Sequence, residues 1–285
     1  MEERGTRKKR THGTTDKESN AVLFQSFCIA VFAFLAVVLT HQLIVGVLSY
    51  VLDYDTQVTF GKVISKPYDT RNWSSNRVLA MYVAPSVFFI VAAISIAVYM
   101  LYTVKVVKGL YRFFFWVMVF SVLFVTAQFT LAPLAATIGK GSLYQGISVA
   151  AAWWGVDTFR LLIFSLLALL INIVFGFVGF RLLMQFSPLF SPGQKSVGQR
   201  DTIRYYFIYP IAMLMPVALL LALPNTVVFF VAMLLHAILW LPGLYIKSQA
   251  GYRFEGTVAK ATKISTGYLL PVVVLLLVIL IRIFL

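Results

Sequence analysis

At 285 residues, 60% hydrophobic and only 12% charged, the chain lacks the charged fraction of about 25% from which soluble surfaces are built. Its net charge of +14 does not point to nucleic acid, because the basic residues fall in short segments between apolar runs rather than along one stripe. The runs are about 20 residues long, enough for helices to cross a ~30 Å hydrocarbon core, and the ten-residue alternation of a membrane barrel is absent.

In chain order, residues 1–20 (MEERGTRKKRTHGTTDKESN) are polar and without apolar periodicity, and are expected to form a disordered basic cytoplasmic tail. The tail is too long for a signal peptide. Glu2, Glu3, Asp16 and Glu18 also disagree with a mitochondrial presequence. Residues 21–285 are expected to form a single transmembrane domain of apolar runs at 22–51, 78–103, 113–138, 158–180, 205–223, 226–246 and 264–285. The fold class is therefore all-α, a polytopic transmembrane helical bundle of about seven spans.

An extracytoplasmic loop is expected at 52–77. Within it TQVTFGKVIS has the β-branched content of a short strand or hairpin, and Asn72-Trp73-Ser74 is a glycosylation sequon. Pro224-Asn225 marks a tight helical hairpin. Most Lys and Arg fall in the tail and in alternate loops, such as Lys105, Lys108 and Arg112, then Arg181, Lys195, Arg200 and Arg204, then Lys247, Arg253, Lys260 and Lys263. By the positive-inside rule this puts the N-terminus in the cytoplasm and the C-terminus outside, in a bacterial inner or plasma membrane. The same basic loops are expected to attract anionic lipids.

Asp157 and Arg160 stand just before the fourth run's continuous apolar stretch, behind Trp153 and Trp154. An Asp there caps a helix start, and Arg160 can lift its guanidinium to an interface while its stem stays apolar. The rival is a buried pair facing a cavity within the bundle, since ionisable groups at membrane depth are costly and often functional. His236, in MLLHAILWLPG, and Asn172, in LLINIVFGFVGF, read as polar groups that bond across helix contacts. Gly176 and Gly179 make a small-residue face, flanked by Phe175, Phe177 and Phe180, where another helix can approach. Pro85, Pro133, Pro210, Pro216, Pro242 and Pro271 each remove a backbone bond, kinking a helix and freeing a carbonyl that could coordinate an ion. The one cysteine, Cys28, supports neither a disulfide nor a zinc site.

His41-Gln42-Leu43-Ile44-Val45 lies in the first run, ahead of the strand-like TFGKVIS and a helix opening with VAPSVFF. Over about residues 30–100 this order resembles the HExxH helix, interfacial strand and small-Gly-Pro helix of site-2-type intramembrane metalloproteases. The chemistry does not carry over. Zinc needs two imidazoles one turn apart and a Glu to activate water, and only His41 matches, with Gln42 in place of the base and Val45 in place of the second ligand. The resemblance implies a catalytically inactive relative, a pseudoenzyme. No nucleotide, haem or phosphate-loop motif stands elsewhere, so no metal or cofactor is expected. The leading expectation is a non-enzymatic structural or accessory subunit that contacts other integral membrane proteins. A small-molecule or lipid transporter using Arg160 and His236 is the alternative, and the inactive protease relative the second.

Overall fold

Each long apolar run within the described residues is helical. The structure, a computed structural model, describes residues 12–59, 62–67, 74–102, 108–138, 146–186, 200, 202–222 and 227–249. Its elements are α1 (His12–Val51), β1 (Tyr54–Thr59), β2 (Lys62–Pro67), α2 (Ser75–Tyr82), α3 (Ala84–Tyr102), α4 (Lys108–Ile138), α5 (Ile147–Trp153) and α6 (Thr158–Phe186). A π turn at Arg204–Ile208 then leads into α7 (Tyr209–Ala222). After it α8 (Val227–His236) runs through a 3-10 turn, Ala237–Trp240, into α9 (Leu241–Gln249). Among the described residues, five stretches are long and apolar enough to cross a membrane: Leu23–Val51, Ala84–Tyr102, Gly109–Ile138, Thr158–Met184 and Val227–Ile246. The chain is thus a membrane-integral helical bundle. The expected fifth run appears as the shorter apolar helix Arg204–Leu219. The expected seventh run, 264–285, and the sequon at Asn72 lie outside the described residues.

Three expectations need correcting. The polar tail is helical from His12 onward, because a nucleated helix extends cheaply through residues of ordinary propensity; residues 1–11 lie outside the described residues. The second run is not one helix. It breaks at Val83, just ahead of Pro85, so that the proline occupies the first turn of α3, where its missing N–H costs nothing. Arg112 is not a loop residue but lies within α4, only 4% exposed.

α4 is the central helix: 78% of its most apolar window is buried, against 28% for α6. α1 runs parallel to it, since Arg112 meets Gln25 near their starts and Phe34 meets Phe120 further on. α3 and α6 run the opposite way, as the pairs Tyr111–Met100 and Gln128–Ser86 show for α3, and Phe129–Ser165 and Phe115–Gly179 for α6. Aromatic rings fill the interior. Trp116 stacks on Phe120 and Phe207 with centroids 5.3 and 5.9 Å apart, and Phe207 continues the stack to Trp240 at 5.8 Å. Such large rings bury much apolar surface while keeping a definite geometry.

The expected strand segment is an antiparallel hairpin in register from Tyr54↔Pro67 to Thr59↔Lys62. It follows α1 through Asp53, whose φ of 56° is a left-handed conformation that Asp tolerates. Tyr54 is buried against Val45 of α1 and Met81 of α2, which pins the hairpin to the end of the first span. Burial pushes the Tyr54 phenol up from its usual range, opposed by the nearby Arg77.

Candidate functional site

The structure pairs Asp157 with Arg160 and gives Asn172, His236 and His41 each a separate set of partners. Asp157 stands immediately before α6. Its Oδ1 accepts the Arg160 backbone N–H at 2.9 Å, while its Oδ2 lies 3.0 Å from Arg160 Nε. Both side chains are open, 53% exposed for Asp157 and 72% for Arg160. A side-chain oxygen on the third N–H of the helix is N-cap geometry, and the carboxylate also complements the positive helix end.

Asn172, deeper on the same helix, is fully buried. Its Oδ1 accepts from Trp240 Nε1 at 3.1 Å and its Nδ2 donates to the Ala168 carbonyl at 3.0 Å. This bond locks the small-residue face. A Cβ added to Gly176 would stand 2.6 Å from the Trp240 carbonyl oxygen, and one on Gly243 would stand 2.5 Å from the Phe177 nitrogen. The helix that approaches the face is therefore the chain's own Trp240–Gly243 segment. Phe175 lies against Trp240, and Phe180 is buried.

His236 Nδ1 contacts the Ala232 carbonyl one turn back, and Nε2 faces Thr130 Oγ1 of α4 at 3.0 Å. A carbonyl can only accept, so Nδ1 carries a proton, while Nε2 meets a hydroxyl that also donates to the Thr126 and Ala127 carbonyls of its own helix. His41 packs between rings, 4.7 Å from Phe124 and 6.3 Å from Phe89, the latter within the VAPSVFF segment. Gln42 is buried, and Val45 belongs to the apolar cluster with Tyr54 and Met81. Among the described residues, no three His, Cys, Asp or Glu side chains are grouped to hold a metal ion.

The prolines hold an arrangement that single-chain spacing does not disclose. Pro133, inside α4, cannot donate to the carbonyl of Phe129, and Ser165 of α6 donates to that oxygen at 2.8 Å. Pro210 leaves the Tyr206 carbonyl without its α-helical partner, and Ser26 of α1 reaches it at 3.4 Å. Pro242 does the same to Ile238, whose carbonyl takes the Leu241 N–H in the 3-10 turn. Three carbonyls that could have met an ion instead meet donors of this chain, as a low-dielectric interior demands.

Two further residues escaped the sequence reading. Gln128 Oε1 accepts from Ser86 Oγ at 2.8 Å and from the Ile147 backbone N–H at 3.3 Å, joining α3, α4 and α5. Gly146, at a φ of 53°, fits there because a Cβ would fall 2.1 Å from that same oxygen. Arg112 lies 5.0 Å over the Tyr206 ring and donates through Nη1 to Gln25 Oε1 at 3.4 Å. A glutamine in the middle of an apolar run was the visible signal for the first. Nothing in the basic segment around Arg112 marked it as buried.

No protein-family model, curated protein or solved structure matches the chain.

Proposed function

We propose that this protein is a non-enzymatic subunit or scaffold of a membrane complex, with its N-terminus in the cytoplasm of a bacterial inner or plasma membrane. One observation carries this reading: four of the bundle's buried polar side chains join its own helices to one another. Asn172 holds Trp240, His236 meets Thr130, Gln128 gathers three helices, and Ser165 occupies the carbonyl freed by Pro133. An ion-coupled transporter needs polar groups that exchange partners during its cycle, and broken helices whose carbonyls are open to cargo. Purification of the full chain in mild detergent tests the proposal. A stoichiometric membrane partner supports it; a monodisperse chain that moves a solute across vesicle membranes would replace it with the transporter reading.

A degenerate relation to site-2-type metalloproteases is supported by the contact between His41 and Phe89, which brings the remnant of the HExxH helix onto the helix opening with VAPSVFF. In this reading the fold persists while the position of the second ligand, Val45, has become an apolar anchor for the hairpin. Zinc analysis of the purified protein tests it. Stoichiometric zinc lost in His41→Ala would show a working metal site and contradict the inactive relation.

A further inference from the structure

We infer that the groove between α3 and α6 is a phospholipid site, with one acyl chain lying on α4 and the headgroup phosphate at Arg160. α3 and α6 both pack on α4 but barely touch each other, leaving cavities of about 340 and 250 Å³ that share Ile90, Phe129 and Phe164. The deeper one lies between Ile94, Leu167 and Ile171 and ends at Phe175; the shallower one reaches Leu161 and Trp154. The two hydroxyls on the walls are already engaged, Ser86 with Gln128 and Thr126 with the Val122 carbonyl.

Carbon walls do not hold water, and an empty groove forfeits its dispersion contacts. The occupant must therefore be apolar where it meets the groove, and the charged Asp157–Arg160 pair at the groove's start selects one that carries a polar headgroup. The groove follows α6 from Leu161 to Phe175, about 21 Å of helix rise, against roughly 15 Å for one leaflet of the hydrocarbon core.

The headgroup end follows from helical spacing. Leu161, Phe164, Ala168, Ile171 and Phe175 form one stripe of α6, and Arg160 sits one turn before Phe164 on that stripe. Its ion pair with Asp157 runs through Nε, so the outer edge of the guanidinium faces away from the carboxylate and suits a phosphate. Asp157 beside it complements the ammonium of a zwitterionic headgroup. Trp153 and Trp154, both exposed, stand where indoles favour the headgroup level.

The full-length protein, delipidated in detergent and then given dioleoyl phosphatidylethanolamine or dioleoylglycerol, tests this by native mass spectrometry. One phosphatidylethanolamine should be retained under activation that strips dioleoylglycerol. Leu167→Trp and Ile94→Trp, at outward positions that fill the groove, should weaken retention by about tenfold or more without lowering the melting temperature. Arg160→Gln should keep chain binding but lose the preference for the phosphate-bearing lipid. Absence of retained lipid in the wild type, or equal retention in both filling variants, would overturn the site. An unchanged preference in Arg160→Gln would overturn the headgroup assignment. In a Cys28→Ala background, Ile94→Cys should form no disulfide with a second copy or with a cysteine placed in 264–285; a specific cross-link would show protein in the groove and overturn the proposal.

Discussion

α6 carries polar side chains in two regions, and they behave in opposite ways. At its start, Asp157 and Arg160 are open and bonded only to each other and to their own first turn. Further along, Ser165 and Asn172 are buried, and each bonds to another helix. The ion pair looks the more consequential in sequence, yet it holds no helix–helix contact. The hydroxyl and the amide look ordinary, yet they sit where an unmet partner has no water to turn to. Depth, not charge, decides which polar residue the fold depends on.

The largest effect should come from the backbone contact that the buried region secures. Gly243→Leu places side-chain atoms against the backbone of Gly176 and Phe177, and should cost about 3 kcal/mol or more, read as a loss of the folded peak in detergent chromatography. Trp240→Phe keeps a large ring in the stack but leaves Asn172 Oδ1 without a donor, and should cost ~1–3 kcal/mol in thermal melting. Adding Asn172→Leu should recover much of that loss, because both polar partners are then gone. If the second change adds to the first instead, the amide does not hold Trp240 and the contrast within α6 disappears.

Effects at the exposed end should be smaller. Asp157→Ala removes the cap and should cost ~0.5–2 kcal/mol, whereas Asp157→Asn should fall within a few tenths, since the amide oxygen still accepts the Arg160 N–H. Arg160→Lys should be nearly silent in stability, because an exposed pair contributes little. A double-mutant cycle on Asp157 and Arg160 with coupling of several kcal/mol would instead mark the pair as a buried site.

The sequence made the exposed region more legible than the buried one. An N-cap is local chemistry: an Asp, a short spacing and the onset of an apolar run suffice to read it. The hairpin was legible for a similar reason, from the β-branched content of TQVTFGKVIS. The glycines at 176 and 179 announced a close helix approach, but the helix that uses them is more than 60 positions away in the chain, and no periodicity names it. Pro133 announced a freed carbonyl without showing that Ser165 answers it, since that pairing exists only once α4 and α6 lie antiparallel. The apolar run also joined α2 to α3, because Val83, where the helix breaks, is itself apolar.

The most direct test of the claim that buried polar groups serve this bundle's own backbone is Ser165→Ala, measured by thermal stability in detergent in the wild type and in a Pro133→Ala background. With Pro133 present, losing the hydroxyl strands the Phe129 carbonyl and should cost about 1 kcal/mol. With alanine at 133 the helix supplies its own N–H to that carbonyl, and the cost of Ser165→Ala should fall to nearly nothing. An equal cost in both backgrounds would contradict the claim and return the Phe129 carbonyl freed by Pro133 to the candidates for an ion or substrate site.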